Sequence, residues 1–353
     1  MPKELVFLGS RQVGFQEYEA SEPGPGQVKL RTLYSGISHG TEMNIYRGTA
    51  PHFRKEIREG LWVDGEPTYQ YPQTYGYEEV GEVVTLGAGV TQVRIGDLIA
   101  TSYGHRETKV LDLSQARRFH VVPPSFPPQQ AVFHALAGVA LNDYLSSEIR
   151  LGESAVVFGL GVIGLFVTQW CKLGGVSPVI AVDLLPSRLA MAKEFGVDYT
   201  LNPRDVADVA VAVREILGTL GADVVFEHTG SYRALHQAIR CGAPVYGKVM
   251  AVSWYQGGGS DLFLGEEWHH SFAGRAGASH MLHNHLAVPP APGRQWDVDR
   301  LNKTAFGYLT SGKLKTDGLI SHTVPFSQAA DAYDLIDRHP EQATKVVLQF
   351  TGS

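Results

Sequence analysis

The sequence has little cysteine, no excess of positive charge and no long hydrophobic run without glycine. Only Cys171 and Cys241 are cysteines among 353 residues. Two are too few for a Cys-rich structural zinc site or a disulfide framework, and such usage is typical of a reducing cytoplasm. Lys plus Arg number 30 against 36 Asp plus Glu, a net charge of −6. Because nucleic-acid binding normally requires a positive face, we predict no nucleic-acid partner.

A membrane segment and a secretory leader are also missing from the pattern. The opening residues, MPKELVFLGS, lack the continuous apolar region of a signal peptide. The longest uncharged run, SAVVFGLGVIGLFVTQWC at 154–171, approaches the length of a membrane span. Its glycines, however, divide it into a short strand, a turn and a helix. We therefore predict a cytoplasmic protein with no membrane span. Its length is sufficient for two domains.

The middle of the chain alternates short apolar strands with helices. The strand-like segments are AVVF (155–158), PVIAVD (178–183), DYTLN (198–202), ADVVFEHTG (222–230) and KVMAVSW (248–254). Helical patterns separate them, such as PSRLAMAKEFG, which has Pro186 in its first turn and Gly196 at its end. Continuous apolar strands separated by helices predict a parallel sheet covered on both faces.

A glycine fingerprint follows the first of these strands. Gly159-x-Gly161-x-x-Gly164 opens a helix, and Asp183 ends the next strand. The glycines allow a tight turn and close approach to a pyrophosphate, which the N–H groups of the helix N-terminus, including those near Val162 and Ile163, would bind. Asp183 would accept hydrogen bonds from ribose hydroxyls and repel a 2′-phosphate, which favours NAD(H) over NADP. The alternative is that the glycines form a tight turn that binds no ligand. Arg188 is a further candidate near the cofactor, although its position suits the following helix.

The two flanks of this segment are β-rich. Short alternating stretches such as QVKLRTLYSGIS and VGEVVTLGAGVTQVRIGDLIA are broken by glycine at strand-and-turn spacing, and a closing strand, TKVVLQF, ends the chain. We predict a β-rich domain at 1–136, a nucleotide-binding domain at 137–275 and a return to the first domain at 276–353.

Several motifs, in order, resemble the medium-chain dehydrogenase/reductase superfamily of alcohol and polyol dehydrogenases. They are SGISHGTE (35–42), GYEEVGEVVTLGAGVTQVRIGD (76–97), GLGVIG (159–164), VDLLPSRLAMAKEFGVD (182–198), FEHTG (226–230) and SGKLKTDGLISHTVPFSQAADAYDLID with KVVL (311–348). The resemblance implies an α/β fold in which a Rossmann doubly wound parallel sheet is inserted into a β-rich GroES-like catalytic domain. It also implies a homodimer acting on a small-molecule substrate.

The chain departs from the zinc-dependent members of this family at their metal positions. Carried over from the family motifs, the three catalytic zinc ligands fall on Ser38, Tyr77 and Ala135. A serine hydroxyl and a phenol are poor zinc ligands, and alanine offers none. Glu78 remains of a Gly-His-Glu motif, and the four-cysteine lobe that holds structural zinc is absent. We therefore predict that the protein binds no zinc. The alternative is a metal site with ligands from His39, Glu78 or His134.

Without zinc, the proton of an alcohol needs a hydrogen-bonding acid or base near the substrate oxygen. Tyr77 is the first candidate because it occupies a metal-ligand position, although a phenol acting as base needs a lowered pKa, which Glu78 would oppose. His39 is second, although the family's residue at that place often meets the pyrophosphate. Ser38 and Thr41 are candidate relays. The alternative for Tyr77 is a core aromatic that fills the vacated metal space.

The resemblance and the composition add further contacts. By analogy with the family, five residues lie near the cofactor: His228, Thr229, Ser253, Trp254 and Lys345. The aromatic stretch 47–72, with Trp62 and Tyr69, is typical of a lid over substrate. In the histidine-rich stretch 266–285, His269 and His270 would hydrogen-bond to the hydroxyl-rich ring of a substrate. A metal site formed by His280, His283 and His285 is an alternative function for this stretch.

Three functions remain open on the sequence. The first is an NAD-dependent, zinc-independent dehydrogenase acting on a secondary alcohol of a sugar, cyclitol or glycoside. The second is a zinc-free enone or quinone reductase. Asp183 disfavours this function, because such reductases usually prefer NADPH and the carboxylate would repel its 2′-phosphate. The third is a dinucleotide-binding protein that has lost catalysis.

Overall fold

The computed structural model describes residues 1–114, 119–244, 247–269 and 296–350, which fall into two compact units. The first consists of Met1–Ala135, Phe306–Gly312 and Thr316–Ser353, and the second of Leu136–Ala305 and Lys313–Lys315. The predicted boundary after residue 136 lies one residue from this division. The predicted return at 276 lies outside the described residues.

Sixteen strands and eight α-helices are described in these residues. The strands are β1 (Lys3–Gly9), β2 (Gln12–Glu17), β3 (Gln27–Gly36), β4 (Glu56–Arg58), β5 (Leu61–Val63), β6 (Glu79–Leu86), β7 (Leu98–Thr101), β8 (Thr108–Asp112), β9 (Phe119–Val121), β10 (Ala155–Phe158), β11 (Val179–Val182), β12 (Tyr199–Leu201), β13 (Val224–Glu227), β14 (Lys248–Ala251), β15 (His322–Pro325) and β16 (Val346–Gln349). The helices are α1 (Thr41–Tyr46), α2 (His134–Ser146), α3 (Val162–Leu173), α4 (Pro186–Glu194), α5 (Val209–Leu217), α6 (Tyr232–Cys241), α7 (Val298–Thr310) and α8 (Ala329–Arg338).

The first unit is built around a sheet in the order β15-β16-β3-β6-β7-β9, with β8 also paired to β3. Alternate residues of β3 are buried, as expected of a strand with one face on a core. One core cluster contains Val28, Leu30 and Ile99. A second cluster combines Phe7 of β1, Met43 of α1 and residues of α8 and β16. The antiparallel pairing of β3 with β6 sets Ser35 opposite Glu79, which brings the segments that follow β3 and precede β6 together.

The second unit contains a five-stranded sheet in the order β12-β11-β10-β13-β14, with all neighbours parallel. Its strands are buried throughout their length at β10, β11 and β13, because helices cover both faces. The chain reverses its direction of winding between β10 and β13, and ligands of such sheets bind at the carboxyl ends of the strands at this point. The predicted α/β fold class is confirmed.

The apolar run at 154–171 forms β10, the glycine turn and α3, as the glycine spacing predicted. Within the described ranges, no helix is both long and apolar enough to cross a membrane.

Candidate active site

The glycine turn after β10 requires glycine for steric reasons at two of its three positions. Gly159 has φ of 84°, and a Cβ there would lie 2.8 Å from Thr229 Cγ2. A Cβ on Gly164 would lie 1.9 Å from the carbonyl oxygen of Gly159. At Gly161 a Cβ would meet nothing within 4 Å, so its side is open for another molecule to approach the backbone. Since α3 starts at Val162, with Ile163 next, the free N–H groups of its first turn follow this opening directly, and the turn fits a pyrophosphate.

Asp183 stands just beyond β11, where the family places the ribose-binding acid. Its carboxylate accepts hydrogen bonds from Leu160 N at 2.7 Å and from Leu185 N at 2.9 Å. These bonds tie the acid to the glycine turn on one side and to the start of α4 on the other. Arg188 lies on α4, as predicted, with Nη1 3.9 Å from Asp183 Oδ2. The carboxylate is thus held in one orientation beside the turn.

A buried glutamate that the sequence reasoning missed organises the end of β13. The Glu227 carboxylate accepts hydrogen bonds from Thr229 N at 2.7 Å and from the hydroxyls of Thr229 and Tyr255. Ser253 donates to the carbonyl oxygen of Glu227 at 3.2 Å. Thr229 and Ser253 are therefore brought together at the carboxyl end of the sheet. An acidic residue at the end of a buried strand was the sequence feature that could have indicated the role of Glu227.

His228 and Trp254 are the other two residues of the second unit that are predicted to lie near the cofactor. The His228 ring is buried, with Nδ1 4.0 Å from Asp143 Oδ2. Burial lowers the pKa of His228 to about 3, so its imidazole is neutral. Trp254 is half-buried after β14. Their predicted cofactor contacts stay predictions.

In the first unit, the candidate catalytic hydroxyls meet. Ser38 follows β3 and Tyr77 precedes β6, and the pairing of these strands brings Ser38 Oγ to 2.5 Å from the Tyr77 phenol oxygen. Thr41, the first residue of α1, also shares a side-chain hydrogen bond with Tyr77. His39 lies between them in sequence and is half-buried. Three of the predicted catalytic residues thus form one cluster of hydroxyl groups.

The environment of Tyr77 keeps its phenol protonated. Burial raises the pKa of Tyr77 above its ordinary value of 10.0, and the negative charge of Glu78 raises it further. The hydrogen bonds from Ser38 and Thr41 act in the opposite direction but are weaker. The lowered pKa that a tyrosine base needs is therefore not found, and Tyr77 is suited to donate a hydrogen bond.

Glu78 points away from these hydroxyls and pairs with Lys345. Lys345 Nζ lies 2.5 Å from Glu78 Oε2 and donates to the carbonyl oxygen of Ile37 at 2.8 Å. Both side chains are almost completely buried. Burial raises the pKa of Glu78 to about 7, although the Lys345 ammonium acts in the opposite direction. The predicted role of Lys345 at the pyrophosphate remains a prediction, and its observed partner lies beside the hydroxyl cluster.

The residues at the family's zinc positions do not fit a catalytic zinc ion. The hydroxyls of Ser38 and Tyr77 bond to each other, and Ala135 is fully buried with no ligand atom to offer. Of the residues that would revive a site, Glu78 is held by Lys345, and His134 is buried at the start of α2.

Elsewhere in the described part of the chain, three potential metal ligands lie close together. They are His236, Glu266 and Glu267 in the second unit. Glu267 Oε1 accepts a hydrogen bond from Arg240 Nε at 2.9 Å, and an adjacent guanidinium disfavours a cation. The histidines at 280, 283 and 285 lie outside the described residues.

The aromatic stretch 47–72 contains a hairpin, β4 with β5, instead of an irregular loop. Tyr69 stacks on His52 with ring centroids 4.0 Å apart, and Trp62 meets His52 edge-on at 4.7 Å. Trp62 remains 46% exposed, so part of it is accessible to a ligand. His269 is exposed, and His270 lies outside the described residues.

The sequence reasoning also missed a buried polar cluster behind Ser38, formed by Glu42, His105 and Tyr333. Glu42 is 0% exposed and accepts a hydrogen bond from Ser38 N at 2.9 Å. Its other oxygen is 2.7 Å from His105 Nε2 and accepts from the Tyr333 hydroxyl at 2.6 Å. An acid inside SGISHGTE was a signal for Glu42. No local pattern marks His105 or Tyr333, which are far away in sequence.

Comparison with known proteins identifies two family models in the chain. The alcohol dehydrogenase GroES-like domain matches residues 24–118, and the zinc-binding dehydrogenase family matches residues 162–273. D-guloside 3-dehydrogenase of Escherichia coli (strain K12) is 28% identical over 358 residues, which cover 99% of this chain and 100% of that protein.

Solved structures show the same fold. A short chain alcohol dehydrogenase from Escherichia coli CFT073, complexed with NADH, has a TM-score of 0.76 at 21% identity and covers 99% of both chains. A structure from Sinorhizobium meliloti 1021 bound to NADP has a TM-score of 0.76 at 19% identity, again over 99% of both chains. Because the two family matches together span more than half of the chain, it belongs to the medium-chain dehydrogenase/reductase superfamily and is an oxidoreductase.

Proposed function

We propose that the protein is an NAD-dependent, zinc-independent dehydrogenase. It transfers a hydride between the cofactor and a secondary alcohol, or the matching ketone, of a polar cyclic substrate such as a sugar, cyclitol or glycoside. The observation that carries this proposal is the direct hydrogen bond between Ser38 and Tyr77 at two positions where zinc-dependent relatives bind the metal. The similarity to a protein named D-guloside 3-dehydrogenase supports a glycoside or sugar as substrate.

The hydroxyl cluster provides the proton chemistry in this proposal. When bound, the nicotinamide would supply or accept the hydride. The raised pKa of Tyr77 keeps a proton on its phenol, so Tyr77 donates a hydrogen bond, and then the proton, to the carbonyl oxygen during ketone reduction. Ser38 and Thr41 orient that phenol, and Ser38 passes it a replacement proton that comes from water. In the oxidation direction the proton moves the opposite way: the substrate hydroxyl gives its proton to the Tyr77 oxygen as the phenol proton passes to Ser38, whose own proton goes to water.

The choice of NAD over NADP rests on Asp183. Its carboxylate is fixed by two backbone N–H groups, so it cannot easily turn away from a ribose bound beside the glycine turn. A 2′-phosphate there would bring negative charge against a fixed carboxylate. The nearby Arg188 is 3.9 Å from the same carboxylate, and the acid therefore shields that positive charge.

An assay with a panel of sugars, cyclitols and glycosides tests this function. We expect at least one member to reduce NAD, with NADP at least about 10-fold poorer in kcat/KM because of the charge conflict at Asp183. Asp183→Ser removes the carboxylate while keeping a hydrogen-bonding group, and it should narrow or reverse the preference. The matched control is Asp205→Ser, on the exposed segment after β12, which should leave the preference unchanged.

Two results of this assay would contradict the proposal. Reduction of quinones or enones by NADPH, with no turnover of any alcohol, would favour the reductase alternative. An unchanged cofactor preference in Asp183→Ser would show that the acid does not read the ribose.

A further inference from the structure

The cluster of Glu42, His105 and Tyr333 lies behind the Ser38–Tyr77 pair. In the contacts described, none of its members hydrogen-bonds to Tyr77, although the negative charge of Glu42 adds to the rise in the pKa of Tyr77. Its three side chains come from distant parts of the first unit: α1, the segment between β7 and β8, and α8. Glu42 and His105 are 0% exposed. Burying an ionised carboxylate in such a site is costly unless it is paired with an opposite charge and well hydrogen-bonded.

Each oxygen of the Glu42 carboxylate has a defined partner. Oε1 accepts the N–H of Ser38 at 2.9 Å, while Oε2 faces His105 Nε2 at 2.7 Å and the Tyr333 hydroxyl at 2.6 Å. The charge of His105 lowers the pKa of Glu42 against the effect of burial, and Glu42 in turn raises the pKa of His105. The Glu42 carboxylate is therefore ionised. The side chains of His105 and Tyr333 hold one of its oxygens, and the other oxygen accepts the peptide N–H of Ser38.

The imidazole is held from its other side as well. His105 Nδ1 lies 2.5 Å from Ser35 Oγ, and Ser35 donates to Glu79 Oε1 at 3.2 Å. Ser35 belongs to β3, the strand that leads into Ser38. His105 is consequently fixed against the sheet, and through it Glu42 is fixed with respect to the strand end that carries Ser38.

We infer that Glu42 is a positioning residue for the proposed reaction. Clamped by His105 and Tyr333, it holds the Ser38 peptide and so sets the direction of the Ser38 hydroxyl towards Tyr77. This inference rests on the proposed function. It adds a second requirement to that function: the hydroxyl pair must be supported by a charged carboxylate that touches neither substrate nor cofactor. A misplacement of about 1 Å in a catalytic group can cost as much as about 10²-fold in rate.

Glu42→Gln tests the inference. In either orientation the amide NH2 of Gln faces a group that now donates to Glu42, so the clamp cannot persist unchanged. We expect kcat to fall roughly 10-fold or more, with the Kd for NAD unchanged. The matched control is Glu4→Gln. Glu4 is also buried and carries a carboxylate, but it accepts hydrogen bonds from Gln16 and Arg106 and none from the cluster, so its variant should keep kcat within about 3-fold.

A double-mutant cycle separates positioning from general damage to the fold. If Glu42 acts through the Ser38 hydroxyl, Glu42→Gln should cost less than about 3-fold in a Ser38→Ala background. An equal loss in both backgrounds, or equal losses in Glu42→Gln and Glu4→Gln, would overturn the inference. Should Glu42→Gln fail to fold, Tyr333→Phe replaces it. That variant removes one donor to Glu42 and keeps the ion pair between Glu42 and His105. It should lower kcat by a few-fold when Ser38 is present and should have no such effect in Ser38→Ala.

A spectroscopic readout does not depend on turnover. The resonance of Tyr77 in protein labelled with ¹³Cζ-tyrosine can be assigned by its disappearance in Tyr77→Phe. The shift caused by Glu42→Gln should be larger in the wild-type background than in Ser38→Ala, where only the Glu42 charge is lost, and Glu4→Gln should leave the resonance in place. If the wild-type protein turned over no alcohol, the proposed function would fail while this shift would still decide the inference. A Tyr77 resonance unmoved by Glu42→Gln would contradict it.

Discussion

Tyr77→Phe is expected to lower kcat by roughly 10²-fold or more, because it removes the only phenol hydrogen from the hydroxyl cluster while keeping the ring. Ser38 loses its partner at 2.5 Å. In the proposed zinc-free mechanism, the developing charge on the substrate oxygen then loses its proton donor. The Kd for NAD should not change, since the glycine turn and Asp183 belong to the second unit. Pre-steady-state measurement of hydride transfer gives this rate directly.

The control for this variant is Tyr75→Phe. Tyr75 is a half-buried neighbour whose ring centroid lies 6.1 Å from that of Tyr77. It loses a hydroxyl of the same kind, and its kcat should remain close to that of the wild type. Near-normal turnover of Tyr77→Phe would show instead that Tyr77 fills the vacated metal space, and it would transfer the proton role to His39 or to water.

Lys345→Met is expected to have the largest effect on stability, and the effect should depend on pH. Lys345 neutralises Glu78 inside the first unit at 2.5 Å, and breaking a buried pair costs about 3–5 kcal/mol when the remaining charge persists. Glu78 can avoid that cost by binding a proton. Removing the ammonium raises the pKa of Glu78 beyond the value of about 7 that it has in the folded protein.

The direction of the pH dependence follows from this raised pKa. The folded state holds the Glu78 proton at pH values where the unfolded chain, with an ordinary pKa of 4.5, has released it. Stability is therefore lost as the pH rises from that value through the folded pKa. In Lys345→Met the folded pKa is higher, so the loss continues to higher pH than in the wild type.

Denaturant unfolding at several pH values measures this effect. The deficit of Lys345→Met relative to the wild type should grow between about pH 6 and about pH 9, while Lys345→Arg, which retains the charge, should show a smaller deficit. A deficit that stays constant over this range would mean that the Glu78 charge is not what Lys345 stabilises.

Sequence reasoning was most successful where the backbone structure is encoded locally. The Gly159–Gly164 turn, the acid at 183 and the helix that starts at Val162 all follow from short-range spacing, because the turn, the strand end and the helix start are contiguous in the chain. The pairing of Ser38 with Tyr77 came from family motifs, and the β3–β6 register supplies its physical reason.

Longer-range electrostatics could not be predicted. That Glu78, which is adjacent to the metal position at Tyr77, would pair with Lys345, 267 residues away in sequence, depends on the tertiary packing of β16 against β3. The same is true of Glu42, which meets Tyr333 from 291 positions away. The direction of the Tyr77 pKa shift needed burial as well as charge, and burial of a tyrosine beside two acids is not visible in a one-dimensional pattern. The homodimer and the cytoplasmic location remain predictions.

The central claim, that hydroxyl groups replace zinc at this site, is tested most directly by the dependence of turnover on metal content. The protein is stripped with a chelator, its zinc per chain is determined by mass spectrometry, and NAD reduction by the best substrate of the panel is measured on the same samples. We predict an unchanged kcat as zinc falls far below one ion per chain, and no gain on adding zinc. Activity that falls in proportion to the metal and returns with added zinc would contradict the account.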